Sequence, residues 1–586
     1  MIRLLGASAA LALFASGCPK PPSHPSTPDS GPPACTEDRY DGGTLAFIAD
    51  PARADAGCDW PQWGQNWGHT GASCVPGQSF ASVLGSITFD PFVALEVAEA
   101  QRVFGSGDLL AHFGSPLVVG DDLYLGVKTG TYVSCEPANH PVPCGLDAWD
   151  QQIWTVQHHA WVSGMLTLQQ AYASDWKPPP WQVVQGWEPV FQAAVHDQVV
   201  WIPGGSGTVV RLDRQLGGAV TVNPFGTLAS NRYLTGPLVV DADGALLYNV
   251  VELDAANPQL GDSRGYLVRV PPGVDATHPP TVVDYQSIAV GASAPTDLCP
   301  PATTGQPVPC GSQRPGFNSG PAIGPDGVIF VVSRSRYAQN DSALVALNPD
   351  LSPRWTFRMR EILCDGCGVL VSCRPNRPPG VDPNTGLKGS IWVNDESSSV
   401  PVALPDGAVL YGGLSSYYGG RGHLIKVSPD GRLMGHYDFG WDSTPAVWLH
   451  DGTYSIVTKD NHYPVTPDGS EGPYDMTQLS RDLIPEWSFA STETRSCVTD
   501  PDGGVSCVSD HPSGFEWCVN APAVAPDGTV YANSEDGRVY AIRQGGVLGE
   551  QRFLLQSLGA AYTPIVIDSK GRIYSMNGGL MTVVGQ

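Results

Sequence analysis

Cys364-Asp365-Gly366-Cys367 is followed closely by Cys373, and three neighbouring thiolates are part of the donor set of a zinc site. The fourth ligand is missing. No second Cys-x-x-Cys and no nearby histidine completes the set, and Cys367 lacks the following histidine of a c-type haem attachment. No metal is expected. His158-His159 offers two imidazoles, but adjacent strand residues point to opposite faces, so the pair reads as surface histidines. Asp241-Ala242-Asp243-Gly244 has carboxylates that could hold calcium, yet Asp-Gly is also hairpin-turn chemistry, the simpler account. No Gly-x-Ser-x-Gly elbow, His-Glu-x-x-His pair or phosphate loop appears, and no catalytic residue is assigned. Trp149, Trp154, Trp161, Trp176, Trp181, Trp187 and Trp201 crowd together. Exposed, they would suit a carbohydrate or a protein contact; buried, they would fill gaps between structural units, the favoured reading.

The elements that must carry these residues are short strands around one repeated turn. Its clearest copy is Pro522-Ala523-Val524-Ala525-Pro526-Asp527-Gly528-Thr529-Val530-Tyr531: proline, apolar run, Asp-Gly, apolar run, aromatic. Further copies begin at Pro116, Pro189, Pro237, Pro321, Pro401, Pro445 and Pro564, ending on Tyr124, Trp201, Tyr248, Phe330, Tyr411, Tyr454 and Tyr574. From Pro189 to Pro237, Pro401 to Pro445 and Pro522 to Pro564 the spacing is 48, 44 and 42 residues, the length of a four-stranded propeller blade. The other spacings, 73 to 84 residues, fit one blade plus an insertion. Eight copies predict an all-β propeller of eight four-stranded blades. Only 22 residues follow Pro564, so the segment around Val83 to Val97 is expected to supply the last strand and close the ring.

Each long spacing contains a close cysteine group and each short one none. Local staples are therefore expected within each group, Cys135 and Cys144, Cys299 and Cys310, Cys364, Cys367 and Cys373, and Cys497 and Cys507, with the connectivity left open, while Cys58 and Cys74 bracket a tryptophan-rich segment. Cys35 and Cys518 have no obvious partner.

That bracketed segment, Trp60-Pro61-Gln62-Trp63-Gly64…His69-Thr70-Gly71, resembles the opening of PQQ-like (pyrroloquinoline-quinone-like) β-propeller repeat proteins. The frames Ala343-Leu344-Val345-Ala346-Leu347-Asn348 with Trp355, Leu424-Ile425-Lys426-Val427 and Val539-Tyr540-Ala541-Ile542 extend the likeness to the C-terminus. The resemblance implies either of two functions. One is a non-catalytic envelope scaffold; the other is a quinoprotein oxidoreductase of alcohols or sugars using PQQ with calcium. Enzymes of the second kind resemble one another in an adjacent-cysteine disulfide over the quinone, and no two cysteines here are adjacent. The binding module, without cofactor, is the reading carried forward.

Residues 1–18 read as an export signal: Arg3, the apolar run Leu4 to Phe14, then Ala15-Ser16-Gly17-Cys18, which resembles a lipobox with Cys18 as the lipidated residue. Residues 19–57, rich in proline and serine near their start, read as a tether, leaving 58–586 for the propeller. The expected place is the bacterial outer membrane, lipid-anchored on the periplasmic or surface side. Fourteen cysteines behind an export signal also imply disulfides; setting Cys18 aside leaves thirteen, so at least one thiol is expected to be free or paired elsewhere. With Lys+Arg 32 against Asp+Glu 57, the net charge of −25 disfavours nucleic acid and anionic lipid surfaces. The expected partner is a protein or carbohydrate of the envelope, bound by a monomer.

Overall fold

The computed structural model describes residues 35–47, 58–105, 107–134, 149–300, 306–368, 379–415, 420–463, 472–557 and 562–586. The repeated turn does what its chemistry dictates. Gly327, Gly407 and Gly528 sit at φ of 78°, 77° and 79°, where a side chain would be strained, and each lets one strand fold back on the next. Pro116, Pro321, Pro401, Pro445 and Pro522 each stand immediately before an inner strand, where a missing N–H breaks no ladder bond. Pro237 lies inside Arg232–Val240, where the pairing register shifts between Thr235 and Val239. Pro189 falls five residues ahead of its strand, Ala194–His196.

Eight blade sheets result, antiparallel apart from Val519–Ala521, which pairs parallel with the inner strand of blade 8. Their inner strands are Leu117–Val119, Ala194–His196, Arg232–Val240, Ala322–Ile323, Val402–Ala403, Ala446–His450, Ala523–Val524 and Thr563–Ile567, in blades 1 to 8. The ring closes by Ser82–Thr88 pairing antiparallel with Leu580–Gly585, so blade 8 takes its outermost strand from the start of the chain. Residues 93–97 do not join that strand; they begin helix α1, Val93–Phe104. The turn aromatics dock one blade on the next: Tyr248 donates to Gly207 O at 3.3 Å and Tyr454 to Asp406 Oδ2 at 2.6 Å. Tryptophans do the same, with Trp355 on the outermost strand of blade 4 reaching Pro429 O at 2.8 Å and Trp448 on the inner strand of blade 6 reaching Pro526 O at 3.1 Å.

Cys58–Cys74, Cys299–Cys310 and Cys497–Cys507 are disulfides, the last joining directly opposed residues of a hairpin inserted between blades 6 and 7. Cys364 departs from expectation. It bonds not within its own group but to Cys35, across 329 residues. Cys367 is disulfide-bonded as well, so two of the three thiols considered for zinc are oxidised. Residues 35–47 likewise leave the predicted tether: the Tyr40 amide donates to Leu433 O at 2.7 Å and Leu45 packs into the blade 5–blade 6 core. Cys518 is a buried free thiol. Cys18, the signal, Cys135, Cys144 and Cys373 lie outside the described residues. Among the described residues no helix is long and apolar enough to cross a membrane.

Candidate functional site

A propeller offers its central channel as the natural site, and here the chain fills both ends. The segment bracketed by Cys58–Cys74 crosses the turn end of the inner strands and meets the blades in chain order. Trp60 pairs with Val118 of blade 1, Pro61 O accepts from the Val195 amide, and the Gln62 side chain pairs with the Val240 backbone. Trp67, Gly68, Thr70 and Gly71 then accept from the amides of Ile323, Ala403, Val447 and Val524 in blades 4 to 7, at 2.7–2.9 Å. Gln78 completes the circuit at Gly571 of blade 8. Trp60, Trp63 and His69 are buried, and burial pushes His69 down to about 4, so it is neutral as it bonds Pro401 O. The segment is a plug.

At the opposite end, the residues leading into the inner strands carry polar and charged side chains that converge. His112, ahead of blade 1, lies 3.3 Å from Asp442, ahead of blade 6; both side chains are fully buried. Asp442 Oδ1 also accepts from the Ser398 amide and hydroxyl, ahead of blade 5, at 2.6 Å, and Ser398 Oγ accepts from Asn520, ahead of blade 7, at 3.1 Å. The His112 ring stacks on Tyr562, ahead of blade 8, at 5.0 Å, and Trp187, ahead of blade 2, lies 5.2 Å from it. Lys459 sits 4.7 Å over the Tyr562 ring. Side chains from blades 2, 6 and 8 meet only at the axis of an eight-bladed ring, so this cluster is axial.

Beside it, Asp395 takes a two-pronged contact from Arg314 at 2.7 and 2.6 Å and a third from Arg334 at 3.0 Å. Burial would raise the Asp395 carboxyl, but Arg314 and Arg334 hold it well below the usual range. Burial pulls Arg334 down to about 9 despite Asp395. Burial, then the like charge of Asp395, pushes Glu396 up. Cys518 donates to Glu535 at 2.7 Å; burial and then Glu535 push its thiol well up, so it stays protonated and unreactive.

Carboxylates, amides and arginines therefore do converge on the channel, as an oxidoreductase would require. They are, however, joined to one another, and the aromatic rings there stack on each other. A flat quinone at this place would have to displace His112, Tyr562 and Trp187. No second cysteine accompanies Cys518 among the described residues to form a lid over such a ring.

The other sequence candidates have structural roles. His158 and His159 are buried, not on the surface. His158 stacks on Tyr124 and lies 2.9 Å from Asp122, while a register shift turns His159 towards Gln157. Asp241 closes its hairpin by accepting from the Asp243 and Ala245 amides. Of the seven tryptophans, Trp149, Trp154, Trp176 and Trp201 are buried; Trp176 donates to Leu234 O at 3.0 Å and half-buried Trp161 to Tyr574 at 2.8 Å. They pin blade 1 and its neighbours together. The axial cluster itself was missed on sequence, although one signal was there: polar residues stand just ahead of the opening prolines, as in Asp442 before Pro445 and Asn520 before Pro522.

No family model matches the sequence, and no curated protein resembles it in sequence. Solved structures similar to it include quinohemoprotein alcohol dehydrogenase from Comamonas testosteroni (12% identity, 92% of this chain and 82% of that one, TM-score 0.49). A europium-containing methanol dehydrogenase is similar over 90% of this chain and 91% of its own (11% identity, TM-score 0.47). BamB from Moraxella catarrhalis is similar over 81% and 96% (14% identity, TM-score 0.36). The strand pairing by itself defines the class: an eight-bladed β-propeller, closed by its own N-terminal strand.

Proposed function

We propose that this chain is an exported PQQ-like propeller that binds or scaffolds other molecules of the bacterial envelope and catalyses no reaction. The observation that carries this reading is the packed axis: His112 and Asp442, and Arg314, Arg334 and Asp395, are paired with one another and largely buried, leaving the outer surface for recognition. On that surface Val83, Val162, Met165 and Leu168 are exposed, near the edge where Leu166 packs against Gly85 between blades 1 and 8. Met165–Ala173 carries no charge. Aliphatic side chains beside an unpaired strand edge suit a protein better than a sugar. The protein is anchored as a monomer to the outer membrane through lipid on Cys18; palmitate labelling of the cell-expressed protein, lost in Cys18→Ala, tests the anchor. The function is tested by dye-linked oxidation of an alcohol and sugar panel by the purified protein supplied with PQQ and calcium. No turnover is expected; turnover above a protein-free control would favour the oxidoreductase instead.

A further inference from the structure

A second group of reactive side chains lies away from the axis, on the outer half of blade 5. Strands His423–Val427 and Leu433–Tyr437 pair antiparallel with Ile425 opposite His436, which places Asp438 opposite His423 and all three side chains on one face. His423 Nε2, His436 Nδ1 and an Asp438 oxygen lie within 4.8 Å of one another. The Asp438 oxygen is 3.3 Å from His436 Nδ1 and 3.7 Å from His423 Nε2. Ligands about 2.0–2.1 Å from a tetrahedral ion stand about 3.3–3.5 Å apart, so the Asp438–His436 separation is that of a coordination shell and His423 would need to move inward by a few tenths of an ångström to join it.

The remaining nitrogens are held as metal-bound imidazoles are held. His436 Nε2 faces Glu37 Oε1 at 3.3 Å, and His423 Nδ1 faces Ser415 Oγ at 3.1 Å, which aims the opposite nitrogen of each ring inward. Glu37 is itself fixed, accepting from the Cys364 amide at 2.8 Å and from Arg39 at 2.6 Å. The Cys35–Cys364 disulfide brings that segment over blade 5. A cavity of about 430 Å³ opens beside His436 and Asp438, with room for water as a further ligand.

We infer that His423, His436 and Asp438 bind a divalent transition metal of the zinc class, with two imidazoles, one carboxylate and one position left to solvent. Glu37 orients His436 and is not a ligand. Surface aspartates and lone histidines do not supply this combination of register, separation and outer support.

Cobalt(II) titrated into the untagged full-length protein tests the site, because a tetrahedral or five-coordinate ion shows strong visible absorption at longer wavelength than the weak band of octahedral hydrated cobalt. The expected result is a band saturating at one equivalent and displaced by zinc. Asp438 is half-exposed, so Asp438→Asn should fold normally by circular dichroism while losing the band. Glu37→Gln should keep the band with affinity weakened by about 10–100-fold. Absence of a band in the wild-type protein, or an undiminished band in folded Asp438→Asn, would overturn the assignment.

Discussion

Replacing Asp395 by alanine is expected to cost about 3–5 kcal/mol of folding stability, because it leaves two buried guanidiniums facing each other without a counter-charge. Arg314 is 1% exposed and Arg334 8% exposed at the side chain, and both reach Asp395 within 3.0 Å. The three residues tie blade 4 to the segment leading into blade 5, so the loss falls on the ring rather than on a loop. Arg354→Ala is the matched control. Its partner Asp326 lies 3.2 Å away at the solvent-facing rim, and such pairs contribute about 1 kcal/mol or less. Urea unfolding of both variants should separate them clearly. An Asp395→Ala midpoint no lower than that of Arg354→Ala would show that the axial charges do not brace the ring.

Lys128→Met is expected to lose a similar amount, on the order of 3–5 kcal/mol at pH 8, and less at pH 5. One ammonium there answers three carboxylates: Asp90 at 2.5 Å, Glu96 of α1 at 2.7 Å and Glu188 at 2.6 Å. Burial, only partly offset by Lys128, pushes Glu96 up to about 8. An acid raised in the folded state keeps its proton there while the unfolded chain, with an ordinary value of 4.5, has lost it. Its stabilising contribution is therefore full below about pH 4.5 and gone as pH rises through about 8. The wild-type protein should grow less stable across that interval, and Glu96→Gln should flatten the slope. Chemical denaturation at several pH values reads both effects. A Lys128→Met loss that is equal at pH 5 and pH 8 would contradict the account.

The blades were legible because each is specified locally. Proline, Asp-Gly and aromatic lie within about ten residues, and glycine's positive φ leaves the turn little choice. The closing strand was legible from the shortage of residues after Pro564. The helix α1 was not, since its single apolar face is short and follows the strand without a capping side chain. The axial cluster was illegible as a site because its members come from different blades and meet only when the ring closes. Cys364 shows the same limit. Close spacing favoured a partner within its own group, but the N-terminal segment returns across blade 5 and delivers Cys35 instead. His423 and His436 stand thirteen positions apart, a separation with no meaning until the register of two strands is known.

The central claim is that the channel is occupied by the protein's own side chains and offers no quinone site. It is tested most directly by titrating PQQ with calcium into the purified protein and following tryptophan fluorescence, since Trp63 lies in the plug and Trp187 in the axial cluster. The account predicts no saturable quenching. Quenching that saturates at one equivalent and requires calcium would contradict it.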